Sequence, residues 1–211
     1  MREIVMTAKT VEEAIELALK ELDVERAEVE VNVVSRGKSG ILGIGVEPAK
    51  VRVEVLDKPS DVVKVAAEII ENVIRLLDLS VVSTLTQAEL EGLGGPAFDI
   101  EGDDAGLLIG RRGETLKSLQ FLIRYMVSQR LGTPANVQVD VEGYQERRYQ
   151  ALANMARRVA QRVADTGRPI TMEPMPPNER RIVHLALADD PRVTTESQGE
   201  GSGRQVVVQT R

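Results

Sequence analysis

Apolar residues in this chain switch repeatedly between a spacing of three to four and strict alternation, and no block of either kind is long. This is its tightest constraint on fold, because a period near 3.6 specifies a helix with one buried stripe and a period of two specifies a half-buried strand. Val11, Ala14, Ile15, Ala18 and Leu22 form a helical stripe behind a short apolar stretch. Val29, Val31 and Val33 alternate with polar residues, as do Val51, Val53 and Val55. Thr10-Val11-Glu12-Glu13 is a capping box, with a hydroxyl and a carboxylate placed to satisfy free amides at a helix start. The order is strand, helix, strand, strand over residues 1–57.

Asp57-Lys58-Pro59-Ser60 then reads as a linker, with Pro59 disfavouring helix before it and Ser60 placed to cap a helix after it. The helical spacing of Val62, Val65, Ala66, Ile69, Val73, Ile74 and Leu77 opens a second domain over 60–143. Strands over 81–90 and 97–101 come after it. Next are the apolar Leu107-Leu108-Ile109 and the tetrapeptide Gly110-Arg111-Arg112-Gly113. A long helix with Leu116, Leu119, Leu122, Ile123, Met126 and Val127 as its buried stripe leads to a strand through Val137, Val139 and Val141. A third domain over 144–211 begins with a helix from Tyr144 to about Thr166. It continues with a short strand, a second helix over 178–187, and strands around the Gly-rich turn at 199–203. The expected fold class is α+β in three small domains: βαββ, αββααβ, and two helices on a three-stranded sheet.

Composition narrows the chemistry. With no cysteine and one histidine in 211 residues, disulfides, thiolate zinc sites and His-rich metal centres are excluded, and no metal or cofactor is expected. No run of about 18 apolar residues appears, and the first residues turn polar before a signal-type core develops, which predicts a cytoplasmic protein. Net charge is −6, yet residues 105–181 hold 13 Lys and Arg against 7 Asp and Glu. Positive charge is therefore concentrated where the Gly-Arg-Arg-Gly element lies, which suits a polyanionic ligand. Aromatic residues make up 2%, so recognition is expected to rely on aliphatic contacts, arginine and backbone groups, with little stacking.

Gly37-Lys38-Ser39 has the ending of a nucleotide-binding loop, but position 32 is Asn where that loop needs glycine, and the run sits between strands instead of opening a helix. No nucleophile set accompanies the single histidine either, so no enzyme is expected. Gly110 and Gly113 let the backbone approach a phosphodiester without a Cβ in the way, and Arg111 and Arg112 add charge at that point. On the 178–187 helix, Arg180 and His184 stand four residues apart and share a face, with Arg181 beside them. Guanidinium to phosphate and imidazole by hydrogen bond or stacking suit a nucleic-acid strand.

The 60–143 segment resembles a type II KH domain, with Gly110-Arg111-Arg112-Gly113 as its Gly-x-x-Gly loop. Glu173 to Leu187 resembles the R-3-H domain, with Arg180 and His184 at its two signature positions. Together with Lys38-Ser39-Gly40-Ile41-Leu42-Gly43 in the first block, the chain resembles the Jag family, also called KhpB or SpoIIIJ-associated protein. That resemblance implies single-stranded RNA, or single-stranded DNA, held in a groove between the loop, its helices and an edge strand. Gly110, Arg111, Arg112, Gly113, Lys117, Arg180, Arg181 and His184 are then the contacts. It further implies partners: the single-KH protein KhpA and the membrane insertase SpoIIIJ/YidC, in control of cell wall and cell shape, with oligomers among the outcomes. A competing expectation is a protein adaptor that docks through Lys38, Ile41 and Leu42 of the first domain.

Overall fold

The computed structural model describes residues 2–37, 47–56, 60–90, 92 and 94–211. Lys38, Ile41 and Leu42 lie outside them. The chain divides into two compact units, Met1–Gly143 and Tyr144–Arg211. Among the described residues there are three three-stranded sheets and six α-helices, the α+β architecture that the periodicity predicts.

The first unit opens with β1 (Glu3–Ala8), α1 (Val11–Leu22), β2 (Val29–Ser35) and β3 (Ala49–Val55). β3 lies between β1 and β2, antiparallel to both. Thr10 Oγ1 accepts from Glu13 N at 3.1 Å, while the Glu13 carboxylate reaches back to Lys9 N at 3.1 Å. One face of α1 puts Ala14, Ile15, Ala18 and Leu22 against Val29, Val31, Val51 and Val53, as the two periods require.

Next come α2 (Asp61–Leu77), β4 (Val81–Leu90), β5 (Gly95–Gly102), α3 (Ala105–Ile109), α4 (Glu114–Leu131) and β6 (Gln138–Val141). Ser60 caps α2 through Val63 N at 3.3 Å. β4 pairs antiparallel to β5, and β6 pairs parallel to β5 on its other side. Parallel strands cannot be joined by a tight turn, so the chain crosses over through α3 and α4. Leu116, Leu119, Ile123 and Val127 of α4 are buried. Leu122, expected in that stripe, is instead 52% exposed: it stands one residue, about 100° round the helix, from Ile123. Asp104 does not cap α3; its Oδ2 accepts from Ser80 N at 2.7 Å, tying the crossover to the start of β4.

Polar contacts join the two halves of this unit. Ala88 N on β4 donates to Glu30 Oε2 at 2.9 Å. Arg36, just after β2, donates to Asp99 Oδ2 on β5 at 2.9 Å, and the same Nη2 lies 2.9 Å from Glu101 Oε1. The latter oxygen is buried and receives no hydrogen bond, so this second contact is ionic and off the N–H direction. Burial pushes Glu101 up from 4.5 to about 7, opposed by Arg36 and reinforced by Asp99.

The second unit is α5 (Tyr144–Thr166), β7 (Ile170–Thr171), α6 (Pro177–Leu187), β8 (Val193–Gln198) and β9 (Gln205–Thr210). Its sheet has the antiparallel order β7-β9-β8. Leu152, Ala156, Ala160 and Val163 of α5 pack with Val183 and Leu187 of α6 and with Val193, Val206 and Val208 of the sheet. Pro176 and Pro177 start α6 where an amide would have no intrahelical partner.

Because the folded chain holds the Glu101 proton more tightly than the unfolded chain, its contribution to stability is complete below pH 4.5. It is lost as pH rises to about 7. Urea unfolding of Glu101→Gln against the parent should show a stability difference that moves in favour of the Gln variant over that window. At about 1.4 kcal/mol per pH unit, the gain is at most about 3.5 kcal/mol. A flat difference between pH 4.5 and 7 contradicts this.

Candidate nucleic-acid interface

The Gly-Arg-Arg-Gly element forms a single tight turn between α3 and α4. Gly110 has φ 68°, ψ −166°, a combination essentially confined to glycine. A Cβ on it would also strike Thr115 Oγ1. Arg112 is held in the left-handed region at φ 54°, ψ 28°, and Gly113 comes next at φ 80°. Positive φ at 110, 112 and 113 around Arg111 turns the chain sharply, so that Arg111 and Arg112 both project into solvent. Gly113 is the N-cap of the 18-residue α4 without a side-chain cap, and the Glu114 amide donates to Arg111 O, so the positive end of that helix lies beside the two guanidiniums. Lys117 is exposed one turn further on.

Farther along α4, Phe121 and Tyr125 are 67% and 55% exposed, their rings stacked at 6.4 Å with 14° between planes. The low aromatic count predicts little stacking surface, and this pair departs from that expectation. The signal was present as an i, i+4 aromatic spacing outside the buried stripe. Leu107 on α3 is exposed as well, so the crossover presents apolar surface beside its charged turn.

In the second unit, α6 carries the other predicted contacts. Its position is held by Arg148 of α5, which donates to both carboxylate oxygens of Glu179 at 2.9 Å. Glu179 is 6% exposed, and its hydrogen bonds raise the Arg148 guanidinium further above its ordinary value, against the effect of burial. Asn178 adds a bond to Tyr149 Oη at 3.0 Å. The periodicity signalled neither pairing, since a local repeat does not say which polar groups on two different helices meet.

His184 does not project freely. Its Nδ1 lies 2.7 Å from Thr195 Oγ1 and its Nε2 2.8 Å from Ser197 Oγ, both on β8. Burial lowers its pKa, and Arg180 beside it lowers it further. The neutral imidazole therefore joins two hydroxyls as donor and acceptor, and the positive charge of the patch belongs to arginine. Arg180 is half-buried with an Nε that is solvent-shielded and has no hydrogen bond, whereas Arg181 is exposed. The structure thus brings Arg180 and His184 together and turns Arg181 about 100° away from Arg180. A half-buried guanidinium beside a neutral imidazole suits a phosphate or a base edge. Among the described residues there is no group of three or more His, Cys, Asp or Glu able to hold a metal, and no helix is long and apolar enough to cross a membrane.

Comparison with known proteins accords with both ends of the chain. The Jag N-terminus family model matches residues 6–60, and the R-3-H domain model matches residues 150–210. RNA-binding protein KhpB of Clostridium symbiosum is 37% identical over 206 residues, covering 97% of this chain and 90% of that protein. RNA-binding protein KhpB of Bacillus subtilis is 33% identical, covering 99% and 98%. The protein of that name from Lactiplantibacillus plantarum is 40% identical over 50% of this chain and 33% of its own length. The chain belongs to the KhpB, or Jag, family.

Two outcomes test this geometry. Glu179→Ala leaves a largely buried guanidinium unpaired and should destabilise the second unit by about 2–3 kcal/mol in urea unfolding, less than a fully buried pair because Arg148 retains some solvent. An NMR titration should place His184 below 6.5, and Arg180→Gln should move it upward by removing a like charge.

Proposed function

We propose that this protein is a non-catalytic, single-stranded RNA-binding regulator that grips the phosphate backbone at two places. It would be organised as three modules over 1–57, 60–143 and 144–211. The observation that carries the reading is the Arg111-Arg112 pair, exposed at a tight turn beside the positive end of the 18-residue α4. The naming of the relatives as RNA-binding proteins supports it. Arg180, Arg181 and His184 supply the second clamp, and two weak clamps on one strand gain through effective concentration. In this reading the protein works in the cytoplasm without cofactor or small-molecule substrate. KhpA, the SpoIIIJ/YidC insertase and cell-shape control are the family connections to pursue from there.

Filter binding with a single-stranded RNA over a salt series tests it. Since a single strand releases about 0.7 counterion per neutralised phosphate, replacing Arg111 and Arg112 with Asp should weaken binding about tenfold or more. The same change should reduce the log–log salt slope by about 1.4. A folded double variant that binds with the parent's affinity and slope overturns the proposal, and a single-stranded DNA competitor reports whether the 2′-hydroxyl matters.

A further inference from the structure

Among the described residues β6 is an edge strand, paired only with β5. Glu142 N donates back to Ile100 O on β5 at 3.0 Å. By the alternation of a strand, the peptide groups of Gln138, Asp140 and Glu142 face β5, and those of Val137 and Val139 face the open edge. An open edge offers a row of donors and acceptors to any complementary group. Here one side chain takes both. Gln120 Nε2 donates to Val137 O at 2.6 Å, and Val139 N donates to Gln120 Oε1 at 2.6 Å.

Gln120 belongs to α4, two turns (about 10 Å) beyond Gly113, with Lys117 three residues before it and Arg124 four residues after. It therefore lies on the side of α4 that looks across to the edge strand, in line with the charged turn. Its carboxamide presents one donor and one acceptor side by side, as the Watson–Crick edge of a nucleobase does. We infer that Gln120 stands in the place of a base on the edge of β6, so that this module holds a strand by its phosphates and does not read the base at that position. Gln120 is then a specificity-determining residue whose effect is to suppress discrimination. The inference rests on the RNA-binding reading of the charged turn.

The test uses the full chain, with Gln120→Ala and, to keep the packing of the stem, Gln120→Met. Binding to short oligomers of rA, rC and rU is measured at fixed salt and over a salt series, and amide hydrogen exchange is tracked at Val139. The parent should bind the three within about threefold, and in each variant the spread between best and worst oligomer should widen to about tenfold, the discrimination expected of a good base contact. Each variant should keep the parent's salt dependence. The Val139 amide should exchange faster in the free variants and regain protection with the favoured oligomer. An unchanged spread, including a uniform loss of affinity across all three, marks Gln120 as a tie between α4 and β6 only and overturns the inference while RNA binding stands. Failure of the parent to bind any of the three removes the RNA-binding reading and this inference together.

Discussion

The parallel pairing of β6 with β5 is the constraint on which the arrangement of the first unit depends. Its register sets Phe98 opposite Val139 and Ile100 opposite Val141, and it obliges the chain to leave β5, pass over the sheet and return in the same direction. The crossover is broken between α3 and α4 because Gly110, Arg112 and Gly113 all adopt positive φ. The result is a charged turn at the start of a helix that is itself pinned to the sheet by Leu116, Leu119, Ile123 and Val127. The same helix reaches the free edge of β6 through Gln120. Turn, helix and edge are consequences of one strand pairing.

Electrostatics works differently in the two candidate clamps. At the turn, two exposed guanidiniums stand beside the positive end of α4, a site that is strong at low ionic strength and screened as salt rises. On α6 the charge is half-buried and the polar groups are already engaged. Arg180 carries the positive charge, while His184 is kept neutral by burial and bridged by Thr195 and Ser197. Such a patch is preorganised and loses less side-chain entropy on binding. The buried Arg148–Glu179 pair serves the same end by fixing the helix on which Arg180 stands.

The acidic excess outside residues 105–181 is put to structural use where the halves of the first unit meet. Asp99 and Glu101 receive Arg36 from the first sheet, and Glu30 accepts the Ala88 amide. These carboxylates face arginine and a backbone amide within the unit. The overall net charge of −6 is therefore a poor guide to what the crossover attracts.

Much of this was written in local sequence. A helix stripe and a strand alternation need only their own residues, so the elements around Ile15, Val53, Ile123 and Val208 were legible, as were the glycines whose backbone geometry no other residue tolerates. The spacing of Arg180 and His184 likewise put them on one face. Contacts across long stretches of chain were not legible, because nothing in a local period says which polar side chain will meet which backbone group. Gln120 on the edge of β6, His184 between two hydroxyls of β8, Glu101 raised by burial beneath Arg36, and the exposure of Phe121 and Tyr125 were all decided by how the elements packed. The sequence determined which residues could carry charge and where the backbone could turn; tertiary packing alone decided which of those groups stayed open to a ligand and which were already taken, since burial and partner geometry exist only once distant segments meet.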